Sequence, residues 1–107
     1  MNATAYINAG VCGFITNVSV DCKNLQKTTR IEIETECEKI KKVSNLIQEV
    51  IPIKEVSAGF DGKIMSEARK VLDGCCSGCV VPPGIFKTVQ VAARLALPKD
   101  VEIKISV

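Results

Sequence analysis

The chain has no histidine and no tryptophan among its 107 residues, and aromatic residues make up only 4% of it. Without imidazole, a cysteine hydrolase lacks its usual base. A metal site could draw only on sulfur, carboxylate or backbone. Scarce aromatics leave the interior to aliphatic side chains and offer no stacking platform for nucleic-acid bases. No apolar stretch approaches the roughly 20 residues that span a bilayer. Basic residues form no run, and at a net charge of +2 both signs are interspersed, so a phosphate-tracking surface has no support. The first residues, Met1 to Tyr6, lack a charged region followed by an apolar one, so no secretory leader is expected.

What the chain does have is sulfur, in six cysteines: Cys12, Cys22, Cys37, Cys75, Cys76 and Cys79. With no leader and no membrane span, the expected location is cytoplasmic. Thiols stay reduced there, which makes a disulfide framework the weaker account of so many cysteines. A thiolate-rich site for an iron–sulfur cluster, zinc or Cu(I) is the stronger one. The length suits a single domain, residues 1–107, with a core that needs no covalent staples.

Hydrophobic periodicity gives the order of elements. Thr4 to Asn8 reads as a short strand. Phe14, Thr16, Val18 and Val20 share one parity against Asn17, Ser19 and Asp21. After a polar stretch, Ile31 and Ile33 alternate with Arg30, Glu32 and Glu34, so the two runs form a hairpin. Thr35 and Glu38 have capping-box spacing ahead of a helix that carries Ile40, Val43, Leu46, Ile47, Val50 and Ile51 as far as Pro52. A second helix is expected from about Gly62 to Leu72. A third starts at Pro82 and Pro83 and runs to Pro98. Val101, Ile103, Ile105 and Val107 then alternate with Glu102, Lys104 and Ser106 as a last strand. The expected architecture is α+β, in the order βββαααβ: a three- to four-stranded, mainly antiparallel sheet with three helices on one face.

Parity constrains the hairpin register, because a one-residue slip would turn the apolar face outward. Placing Val20 opposite Thr29 sets Val18 against Ile31 and Thr16 against Ile33. Extending that ladder sets Cys12 against Cys37, and a two-residue slip keeps both thiols at the same end of the hairpin. Cys22 lies ten residues from Cys12 along the chain. If the strand is unbroken, that is roughly 33 Å at the rise of an extended chain, too far to share a ligand. Cys22 therefore reads as a small buried hydrophobe. Cys37 stands in the first helical turn, where free N–H groups stabilise a thiolate. Cys76-Ser77-Gly78-Cys79 is a CxxC with Cys75 beside it, just ahead of the third helix. Asp61, Glu67 and Asp73 read as surface charges.

This arrangement resembles the U-type, NifU-like iron–sulfur cluster scaffold proteins. They too have a Cys-Gly near the start of an antiparallel hairpin, a cysteine opening the first helix and another ahead of a late helix. Cys12-Gly13, Cys37 and Cys79 occupy those places at similar spacing. The resemblance implies that these three are cluster or metal ligands, with Cys76 as a fourth, and that partners donate or accept clusters. A second subunit could complete a site open on one side. Two positions depart from that family: Phe14 stands where it has an aspartate, and Gly78 where it often has a histidine beside the third cysteine. The stretches Asn8 to Phe14 and Leu95 to Pro98 are also similar to a small uncharacterised family of cysteine-containing proteins from anaerobic microbes. No catalytic constellation is present, so a binding role is expected rather than an enzymatic one. A dithiol redox role for Cys76 and Cys79 stands as an alternative, although the βαβ context of that motif is missing. A structural module with unligated core cysteines is the other.

Overall fold

A computed structural model describes residues 1–107. Its sheet is an antiparallel meander of four strands in the order of the chain: β1 (Asn2–Asn8), β2 (Ile15–Asp21), β3 (Thr29–Thr35) and the two-residue β4 (Glu49–Val50). Four α-helices follow or interrupt it: α1 (Glu38–Leu46), α2 (Pro52–Ala58), α3 (Lys63–Val71) and α4 (Val81–Ala92). The α+β class and the antiparallel sheet are as expected from the sequence, with one helix more. No helix is long and apolar enough to cross a membrane.

One sheet face is apolar and covered. Ala3 and Ile7 on β1, Thr16, Val18 and Val20 on β2, and Ile31 on β3 are buried. Helix α4 packs over β1 and β2, α1 over β3, and α3 against both helices. A close approach of α4 to β1 depends on Gly84, since a Cβ there would stand 2.5 Å from Ile7 Cδ1. As the composition requires, the largest fully buried side chains are aliphatic: Ile40, Ile47, Ile64, Ile85 and several valines. Phe14, expected to face inward, precedes β2 and is 40% exposed.

The hairpin register keeps the expected parity but slips by two residues: Val20 faces Ile31, Val18 faces Ile33 and Thr16 faces Thr35. On the other edge of β3, Thr29 and Arg30 pair with Val50 and Glu49 of β4. A period of two decides which face a side chain takes, while turn type and loop length decide the rung. Asn24 Oδ1 accepts the Gln26 N–H (2.9 Å) within the loop, an Asx turn that spends the extra residues.

The single helix expected up to Pro52 is in fact α1, β4 and the start of α2. Proline disfavours helical geometry at the residue before it, so a helix cannot run through Ile51. Ile51 is extended, and Pro52 opens α2 at a first-turn position where its missing N–H costs nothing. Gln48 C=O accepts the Ile31 N–H (2.8 Å), which draws the segment onto β3. Ile40, Val43, Ile47 and Val50 are all buried, though not on one helical stripe, and Leu46 is exposed. The expected capping box is not formed either. Cys37 is the N-cap of α1, Thr35 Oγ1 accepts the Cys37 N–H (3.2 Å), and Glu38 pairs with Lys41 at 3.3 Å.

Helix α3 agrees with expectation, with Ile64, Ala68 and Leu72 buried. Its cap comes from α2: buried Glu55 accepts the Lys63 N–H (3.2 Å) and the Ile64 N–H (2.7 Å). Helix α4 ends earlier than expected, at Ala92. There Leu95 N–H reaches back to Gln90 C=O (2.8 Å) around Arg94, whose φ is 63°. That is a Schellman-type stop with arginine in the left-handed position where glycine is usual. The expected last strand does not form. Residues 101–107 join no sheet, and every one of them is exposed.

Candidate thiolate site

Three chain segments carry thiols to one end of the hairpin. The first is the β1–β2 connection, a 3-10 turn over Gly10–Cys12 in which Gly13 N–H donates to Gly10 C=O (2.9 Å). Gly13 has φ 76°, so the residue after Cys12 must turn left-handed, and glycine does that without strain. The second is the N-cap of α1, where Cys37 stands two residues beyond the end of β3. The third is the 3-10 segment Gly74–Gly78 between α3 and α4, which holds Cys75 and Cys76, with Cys79 as its C-cap.

Cys12 does not face Cys37 across the ladder, as the expected register had it. The ladder ends at Thr16 and Thr35, whose hydroxyls hydrogen-bond at 2.9 Å, and the two cysteines lie beyond it in a turn and a helix cap. They stay at the same end of the hairpin because two antiparallel strands return the chain there. Cys22 follows the opposite end of β2, is 3% exposed and belongs to the buried core. Cys75 is exposed.

Cys79 is the centre of the group. Burial pushes its thiol pKa up, the Val81 N–H donating to its Sγ (3.5 Å) opposes that, and the neighbouring thiols of Cys37, Cys76 and Cys12 push it up again. Cys37, Cys76 and Cys79 are half-buried against the core, and Cys12 is exposed. The four side chains stop short of a closed ligand sphere: no three cysteine or carboxylate groups stand close enough to share one ion. The donor set itself suits a soft metal, since thiolates are the preferred ligands of iron–sulfur clusters and of structural zinc.

A cation that sequence reasoning missed belongs to this group. Lys39, in the first turn of α1, places Nζ 3.3 Å from Asp73 Oδ1 and 3.6 Å from Cys76 Sγ. The Asp73 hydrogen bond, then the charge of Cys76, raise the Lys39 pKa above its ordinary value. Asp73, read from sequence as a plain surface charge, thus ties α1 to the thiol-bearing segment. The one available signal was the spacing Cys37 to Lys39 at a helix start, which says nothing about what lies opposite.

Residues 3–105 match the model of a family of unknown function, DUF6951. The chain belongs to DUF6951. Neither a curated protein nor a solved structure matches it. The DUF6951 span takes in all six cysteines, so the thiol group lies wholly inside the family unit, as does the C-terminal segment through Ile105. The family match is to DUF6951 alone, and the resemblance to the U-type scaffolds rests on cysteine positions and element order.

Proposed function

We propose that Cys12, Cys37, Cys79 and Cys76 bind an iron–sulfur cluster, and that the protein carries or scaffolds that cluster as a binding protein rather than an enzyme. The observation that supports this is the gathering, around half-buried Cys79, of three other thiols brought from separate segments. Packing a core does not require such a group, and ionising several adjacent thiols without a cation is unfavourable. A bound metal centre removes that penalty by replacing the thiol protons. Phe14 and Gly78 offer neither carboxylate nor imidazole, which favours a cluster held in place over one readily handed on. Cluster-donor or cluster-acceptor proteins in a reducing, cytoplasmic compartment are the corresponding partners.

Anaerobic purification followed by iron, acid-labile sulfide and zinc analysis tests the reading. The expected protein is brown, with charge-transfer absorption at roughly 400 nm from thiolate-ligated iron. Zinc at one per chain without iron assigns the same residues to a structural zinc site. A colourless, metal-free protein that forms a reversible Cys76–Cys79 disulfide overturns the reading in favour of the dithiol role.

Lys39 provides a second check. Its ammonium next to Cys76 Sγ stabilises the thiolate form that binds metal, as outer-shell partners commonly do. Lys39→Met is expected to weaken metal retention by about 10–100-fold in competition with a chromophoric chelator. Its thermal melt should change little, because Lys39 is partly exposed and its ion pair with Asp73 is a surface one. Equal retention by the variant would remove Lys39 from the site.

A further inference from the structure

The sheet has one open edge that nothing in the chain protects. Its far edge, β4, is two residues long, short enough to offer little template. The near edge is β1, seven residues reading Asn2-Ala3-Thr4-Ala5-Tyr6-Ile7-Asn8, without a charge or a proline. Exposed edges in soluble proteins usually carry lysine, proline or a bulge, or are covered. Beyond the β1–β2 ladder, the main chain of β1 makes no hydrogen bond.

The same chain carries a strand without a sheet. Residues 101–107 alternate apolar and polar, contain no turn or bend, and make no main-chain hydrogen bond. Val101 and Ile103 are 63% and 64% exposed, Ile105 91% and Val107 fully. At seven residues the segment matches β1 in length. A groove of about 720 Å³ separates its beginning from β1, lined by Ala5 and Ile7, by Thr88 and Val91 of α4, and by Val101 and Ile103. No main-chain hydrogen bond joins the segment to β1, so it does not pair with the β1 edge of its own copy. Pro98, with its fixed φ, stands just before the segment and limits its freedom to fold back.

We propose that residues 101–107 of one copy pair along the open β1 edge of a second copy, and that the exchange is reciprocal. Each chain supplies one unpaired strand and one unpaired edge, so two copies satisfy both needs and close with two-fold symmetry. The added strand extends the sheet and lays its apolar face on α4, in the layer that Ala3, Ala5 and Ile7 already form. Two exchanged strands bury on the order of 2,000 Å² in total, taking an unfolded seven-residue segment at roughly 1,100 Å² of surface with half of it covered and an equal area of acceptor. That reaches the size of a stable dimer interface. The DUF6951 span, reaching to Ile105, includes most of the exchanged strand.

Sedimentation velocity and amide hydrogen exchange on the full chain, with I103D/I105D as the variant, test the proposal. Both substitutions fall on exposed side chains, so circular dichroism should show the fold retained. The expected result is a wild-type dimer with slowly exchanging amides along β1, and a folded I103D/I105D monomer whose β1 amides on the open edge exchange freely. Three outcomes overturn the proposal. One is a wild-type monomer, with β1 protected or not, since protection there would mean that the segment closes on its own copy. Another is a dimer that survives the double substitution. The last is a wild-type dimer whose open-edge β1 amides stay unprotected.

Discussion

Cys79→Ala is expected to come through anaerobic expression without bound iron, sulfide or zinc, its metal affinity reduced by at least about a hundredfold, since altering even outer-shell groups costs 10–100-fold. The reason lies in where Cys79 stands. It is the thiol that Cys37, Cys76 and Cys12 all surround closely enough to influence, and it is half-buried against the core. It also receives the Val81 N–H from the first turn of α4, a hydrogen bond that favours its thiolate. Removing it leaves three thiols on separate segments with no common neighbour. Cys22→Ala is the matched control: it loses a buried sulfur far along β2, at a cost of about 1 kcal/mol in stability, and keeps the metal. Cys75→Ser keeps it as well, because Cys75 is not among the thiols that act on Cys79. Metal analysis of the three variants side by side decides the matter. Full loading of Cys79→Ala, or equal loss from Cys22→Ala, would sink the proposed ligand set.

Glu55→Ala is expected to lower unfolding stability by about 3 kcal/mol, read from the urea midpoint at constant m. Glu55 is 5% exposed and spans two helices, its carboxylate accepting the N–H groups of Lys63 and Ile64 at 3.2 and 2.7 Å. Those donors open α3, where an α-helix leaves its first N–H groups unpaired and where a negative charge is favoured. Alanine removes both charge-assisted bonds at once and leaves the Ile64 N–H buried without an acceptor. Each loss costs about 1–3 kcal/mol in protein interiors. Glu55→Gln keeps a carbonyl acceptor without the charge and should lose roughly half as much. An unchanged midpoint for Glu55→Ala would mean that water replaces the carboxylate at no cost. The contact also serves the thiol group, since α3 leads directly into Asp73 and Gly74–Gly78.

The features legible in the residues alone were those set by local pattern. Alternation placed Thr16, Val18, Val20 and Ile31 on the covered face, and that face is where they lie. The 3.6-residue stripe through Ile64, Ala68 and Leu72 marked α3, and the proline pair marked the start of α4. That Cys12 and Cys37 share an end of the hairpin followed from parity and chain reversal. Distance along an extended strand separated Cys22 from them. Each of these depends on a few consecutive residues and their φ and ψ preferences.

Other features depend on what a segment meets in space. Ile40, Val43, Ile47 and Val50 fit one helical stripe, yet β3 offers Ile31 N–H to Gln48 C=O, and Pro52 forbids the helix to continue. The register slipped a rung because the β2–β3 loop takes up two more residues, folded around the Asn24 turn. Lys39 meets Cys76 and Asp73 only because α1 packs against α3 and the segment that follows it. The strand pattern of residues 101–107 was readable, but whether it finds a sheet edge was not, since pairing needs an acceptor and the acceptor's place is set by the whole fold. By itself, then, the sequence determined the α+β class, the buried face and a set of side chains without imidazole. Tertiary structure decided which thiols meet, which cation stands beside them and which edge stays open, because each is a contact between segments that no local preference encodes.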